Sequence, residues 1–149
     1  MSVLLLSLLL AGPMAGETKS AHPAPIVQSG TRNIPVGDPL RRPLLDTLRA
    51  PIEAELNQPV QFVVDTLRVQ GDWAFFSGKV QRPDGRPIDF TRTSYAEELA
   101  EGMFDGPGTF GLMRRQGGRW TEVVHIIGPT DVAYMGWHDE YGAPESLFE

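Results

Sequence analysis

Cysteine is absent from the 149 residues, and lysine nearly so: Lys19 and Lys79 stand beside 11 arginines. Without cysteine there is no thiol nucleophile, no disulfide framework, no zinc–thiolate site and no attachment point for a cysteine-linked lipid anchor. Basic charge is also in short supply, with 13 Lys and Arg against 19 Asp and Glu and a net charge of −6. A domain with that balance lacks the basic footprint that a phosphate backbone demands, so nucleic acid is not an expected partner. Zinc-protease, calcium-loop, nucleophile-elbow and P-loop spacings are missing as well. No metal and no cofactor is therefore expected. Gly106-Pro107-Gly108 and Gly117-Gly118 read as turn glycines rather than phosphate cradles.

Long hydrophobic runs are missing too. The most apolar stretch, Val3 to Ala11 (VLLLSLLLA), is far shorter than the roughly 20 residues needed to cross a bilayer as a helix. It has the length of the apolar region of a secretory signal peptide. Residues 1–20 are accordingly read as a signal peptide, cleaved between Ala15 and Ala21, and no transmembrane anchor is expected after cleavage. Residues 21–37, with Pro23, Pro25 and Pro35 and no period, read as a flexible leader. Residues 38–149 read as a single domain, in keeping with a chain of this length and 41% hydrophobic content. The expected location is periplasmic or secreted.

Within that domain, Asp38-Pro39 has the form of a helix start, and Leu40, Leu44, Leu48, Ile52 and Leu56 recur every fourth residue as one apolar stripe. Pro51 predicts a kink or break in that helix. The pattern then turns to strands. Val60 to Gln70 and Trp73 to Gln81 flank the turn Gly71-Asp72, and Pro83-Asp84-Gly85 leads to a third candidate strand, Ile88 to Thr93. Ser94 and Glu97 have capping-box spacing at the start of a short helix or helical loop, with Tyr95, Leu99 and Met103 at every fourth residue. Thr109 to Arg115 and Arg119 to Ile127 form a second hairpin around Gln116-Gly117-Gly118, and a short helix toward Trp137 follows, capped by Thr130 or Asp131. The expected fold is α+β: an N-terminal helix packed on a curved, mostly antiparallel sheet of about five strands, with short C-terminal helices. Element order alone makes this analogous to cystatin-like and nuclear-transport-factor-2-like domains.

The segments LLDTLRAPIEAEL, VQFVVDTLRVQGDWAFFSGKVQRPDG, GGRWTEVVHIIGPTDVAYMGW and EYGAPESLF resemble small exported proteobacterial proteins, over about residues 38 to 148. The most distinctive piece is the hairpin Arg68 to Phe75. The resemblance implies export and one small domain, and it carries over no catalytic residue.

Five residues stand out as candidate binding groups. By strand alternation Asp65 shares an apolar face with Val63, Leu67 and Val69, which would make it a buried acid needing Arg92 or Arg114 as partner. Alternation places His125 with Thr121, Val123 and Ile127, opposite Trp120, Glu122, Val124 and Ile126. Trp137 and Tyr134 lie in the C-terminal segment, where Trp137 would either pin the chain to the sheet or anchor a protein partner. Arg114, with Arg115 and Arg119, clusters at a hairpin end and offers an anion site or a solvated loop. Between Gly128 and Glu149 there are five acids and no Lys or Arg, an acidic tail suited to solvent or to a basic partner. Two readings of function follow. One is an exported, non-enzymatic binding or accessory protein that contacts another protein or an envelope component. The other is a small ligand-binding or enzymatic domain, with a pocket between helix and sheet using Asp65 and His125.

Overall fold

The computed structural model describes residues 30–149. The stretch read as a signal peptide and most of the stretch read as a leader lie outside the described residues. The fold is α+β. Helix α1 (Arg41–Leu56) packs on an open antiparallel sheet of five strands, in the order β1 (Arg32–Asn33), β2 (Gln61–Gln70), β3 (Trp73–Gln81), β4 (Gly108–Gln116) and β5 (Arg119–Ile127). Two short helices, α2 (Ala96–Ala100) and α3 (Trp137–Tyr141), complete it. Among the described residues no helix is long and apolar enough to cross a membrane.

The four-residue stripe of α1 does what its spacing predicts. Leu44, Leu48, Ile52 and Leu56 are buried against Phe76, Val80 and Met113 of the sheet, each side chain contributing about 1.5–3 kcal/mol by leaving water. The helix starts at Arg41, after the turn residues Pro39 and Leu40, and Asp38 accepts a hydrogen bond from the Leu40 amide while pairing with Arg32. Both contacts hold the Asp38 carboxyl below the usual carboxylate range, the backbone bond being the larger cause. Of the kink or break expected at Pro51, the break does not occur: the helix runs through Pro51 and its buried stripe is undivided. The stripe passes through Ile52 with no loss of burial, so packing outweighs the local cost. Asn57 then ends the helix in the left-handed conformation that asparagine tolerates.

The second face of the sheet is covered by the chain's own C-terminal segment. Trp137, Ala143 and Leu147 are buried on Phe75 and Leu112, and Phe148 packs edge-on against Phe75. Helix on one face and strap on the other leave the sheet filled from both sides.

Three expectations about elements need correction. The fifth strand is not Ile88 to Thr93 but Arg32–Asn33, from within the stretch read as leader, paired with Val69 and Arg68. Ile34 follows it into the core at 2% exposure, so part of the stretch read as leader packs on the sheet. Ile88 and Phe90 do bury, which is why they read as a strand, but the backbone of Asp89 is satisfied elsewhere. Gln58 accepts from the Asp89 amide and donates to its carbonyl, both at 3.0 Å, and the segment curls into a single 3-10 turn, Phe90–Arg92. The Ser94–Glu97 capping box does not form: α2 begins after Tyr95 with no side-chain cap, and Thr93 instead accepts from the Tyr95 amide. Likewise no side chain caps the 3-10 turn Ala133–Gly136 that precedes α3.

Candidate functional site

The polar cluster that the fold assembles centres on His125, and a β-bulge creates it. Between Leu112 and Met113 the β4–β5 register slips by one, so that Leu112 faces Val124 while Met113 faces Glu122. The extra residue, Val123, resets alternation along β5. Before the bulge Trp120 and Glu122 face α1; after it His125 and Ile127 do. Strict alternation puts Glu122 and His125 on opposite faces. The bulge puts them on the same one, three residues apart.

His125 is held from both sides. Its Nδ1 lies 2.6 Å from Glu122 Oε1, and its Nε2 meets Glu55 Oε2 from the last turn of α1. The other oxygen of Glu55 accepts from the Tyr95 hydroxyl. The result is a chain Tyr95–Glu55–His125–Glu122 joining α1, β5 and the segment before α2. A neutral imidazole carries one N–H and donates to one carboxylate; both contacts are donor bonds at once only on the doubly protonated ring. Because each ring nitrogen already faces a carboxylate, none is free to take a proton from a substrate. The two carboxylates sit at opposite ring nitrogens and do not converge, and among the described residues no group of three His, Asp or Glu is arranged to hold a metal ion. The arrangement acts as a clamp of α1 on the sheet edge.

Tyr95 carries the measurable signature of this cluster. Burial pushes its phenol pKa up first, and the hydrogen bond to Glu55 and the charges of Glu55 and Glu98 push it the same way. A raised folded-state pKa means that the fold favours the neutral phenol. Its contribution is complete below the ordinary tyrosine value of about 10 and is lost as pH rises beyond it. Burial and Glu140 push the Tyr141 phenol up as well, by less, so in an absorbance titration at 295 nm Tyr95 should be the last of the three tyrosines to ionise, and Glu55→Gln should bring it down. Three phenols titrating together would rule out the Tyr95–Glu55 contact.

The other candidates are scattered. Asp65 is not a buried acid. It is the bulged residue of β2, where Val64 pairs with Gly78 and Thr66 with Ser77, and it is exposed. The bulge flips the face: Phe62 and Val64 point to the helix before it, Leu67 and Val69 after it, and Val63 faces out. Neither Arg92 nor Arg114 pairs with Asp65. It lines a surface groove of about 480 Å³ with Asn33, Ile34, Val36 and Arg41, at the sheet edge rather than between helix and sheet. The expected pocket beneath the helix is filled by Leu44, Leu48 and Ile52, each with no exposed area. Asp65 on β2 and His125 on β5 are separated by three strand spacings, roughly 14 Å.

Trp137 is 3% exposed and packs edge-on against Tyr141, 6.5 Å between centroids, so it pins the C-terminal segment and presents no anchor to a partner. Tyr134 stacks into the same layer, 4.6 Å from Phe110 and 5.0 Å from Phe75. The arginines of the β4–β5 turn are partly engaged: Arg114 lies over Trp73, and Arg115 lies over Trp120 and pairs with Asp72 at 2.9 Å. Gly106, Gly108 and Gly111 have the spacing of a dinucleotide-binding glycine motif, but they lead into strand β4 and no helix N-terminus follows to receive a phosphate. Sequence reasoning missed Glu55, Tyr95 and Glu122. Glu55 and Tyr95 carried no signal beyond residue type, since their meeting depends on how α1 lies on β5.

Comparison of the chain with protein-family models, with curated proteins and with solved structures yields no match.

Proposed function

We propose that the protein is exported to the periplasm or secreted, and that it is a non-enzymatic binding or accessory domain for another protein of the cell envelope. The apolar run Val3 to Ala11 supports export. The observation that carries the binding role is the end of the sheet at which β4 begins and β5 stops. The segment of α2 enters β4 there and the 3-10 turn Ala133–Gly136 leaves β5 there, with the ring of Phe104 against Gly128 between them. On these two segments Met103 and Met135 are about two-thirds exposed, Val132 is 52% exposed and Leu99 37%. Methionine surfaces adapt to varied partners. Around them Glu97, Glu98, Glu101, Asp105 and Asp131 have no ion-pair partner among the described residues, and no Lys or Arg lies in 97–105 or 128–136. An apolar surface rimmed by free carboxylates suits a partner segment that is apolar and basic.

The enzymatic reading has less support, because His125 has no free ring nitrogen and Asp65 lies far from it. A photo-reactive residue at position 103 or 135 in the full chain, expressed in a cell that exports it, tests the proposal. A discrete cross-linked partner from both positions, absent from position 116 at the other end of the sheet and lost on Val132→Glu, supports it. Adducts of equal yield from all three positions, or retention of the chain in the cytoplasm with its first 20 residues uncleaved, overturn it.

A further inference from the structure

A second recognition feature lies at the same end of the sheet but on different residues. The loops after β3 and before β4 enclose a half-open groove of about 290 Å³, at the lower end of the range for small-ligand clefts. Its walls include Val63, Pro87, Ile88, Phe90 and Pro107, so most of the surface it offers is apolar. Two glycines line it in backbone conformations that suit glycine. Gly85 and Gly106 have φ of +85° and +75°, conformations that side chains rarely adopt, and a Cβ at either would meet no atom within 4 Å. The two prolines line the groove without an amide that would need a partner.

The charge of the groove is opposite to that of the protein. Lys79, the only lysine among the described residues, is the one charged residue lining it. Lys79 is exposed on β3 between Val63 and Gly108 and has no ion pair among the described residues. Of the nearby acids, Asp84 pairs with Arg86 at 2.6 Å and Asp89 accepts from Thr91, while Asp105, next to Gly106, does not line the groove. An apolar trough with one free ammonium at its rim, on a chain of net charge −6, selects an apolar chain that ends in a single negative charge.

We propose that this groove binds a linear acyl carboxylate, its chain along Val63, Ile88, Phe90 and Pro107 and its carboxylate on Lys79. No covalent step is involved. The test is a titration of the purified full chain with decanoate and, separately, with decanol, followed by amide chemical shifts. The two ligands share the chain and differ in the head group. The expected result is saturable shifts confined to residues 79–90 and 104–108, with decanoate bound about fivefold tighter than decanol. Lys79→Gln should erase that difference and leave decanol binding unchanged. Val63→Glu, at a position already 42% exposed, should abolish decanoate binding in a chain whose own spectrum shows it folded. Equal affinity for the two ligands, shifts centred elsewhere, or no saturation below the concentration at which decanoate forms micelles would each overturn the proposal. The titration uses the chain alone, so its result is independent of whether a protein partner is found at Met103 and Met135.

Discussion

Leu48→Ala and Gly111→Ala should each weaken the fold, and together they should cost less than the sum of the two. Leu48 has no exposed area and sits where α1 crosses the middle of β4, directly over Gly111. Truncating it removes a fully buried side chain and leaves a cavity, at a cost of about 3 kcal/mol. Adding a methyl at Gly111 has the opposite fault. A Cβ there would lie 2.7 and 2.8 Å from the two terminal carbons of Leu48, and the overpacking costs about 1–3 kcal/mol. In the double variant the new methyl occupies part of the space that Leu48 vacates, so the two changes should couple favourably by about 1–2 kcal/mol. Urea midpoints at constant slope measure all four corners of the cycle. Strict additivity would mean that α1 does not rest on Gly111 in solution. A domain of this size has only about 5–15 kcal/mol in total, so either single variant consumes a large share of it.

Gly78→Ala should be more damaging, and no partner substitution should rescue it. Gly78 pairs with Val64 at the bulge of β2, and a Cβ there would overlap the backbone carbonyl oxygen of Val63 and lie 2.9 Å from the ring of Phe76. At Gly111 the obstacle is a side chain that can be trimmed. At Gly78 it is main chain, fixed by the same bulge that turns the Val63 carbonyl inward. The expected loss is about 4 kcal/mol or more, the class of effect reserved for substitutions that force the backbone to move. Ser77→Ala, the neighbour on the outer face, should cost less than about 1 kcal/mol and serves as control. A Gly78→Ala chain that melts close to the wild type would show that the bulge at Asp65 is absent in solution.

The sequence is legible where one period runs without interruption. The stripe Leu44, Leu48, Ile52 and Leu56 repeats every four residues, and each member is buried. The hairpins at Gly71-Asp72 and Gly117-Gly118 carry turn glycines with positive φ, and strands form on both sides. Legibility fails where a single inserted residue resets a period of two. Asp65 and Val123 are such insertions, and each reverses the faces of everything beyond it along the strand. For that reason Asp65 reads as a buried acid and is exposed, and Glu122 reads as opposite His125 and is its partner.

The α+β class, the helix face that packs, the two hairpins and the lack of cysteine chemistry were all legible in the residues, because propensity, periodicity and turn chemistry act over a few neighbouring positions. The three-dimensional arrangement was needed to show that Arg32–Asn33 is an edge strand, that Trp137 is buried between the C-terminal segment and the sheet, and that Tyr95, Glu55, His125 and Glu122 join in one chain. Those facts depend on where distant elements dock and on which residue a strand skips. Both are set by how side chains fill the space between helix and sheet, as Leu48 does over Gly111, and no local pattern encodes that volume.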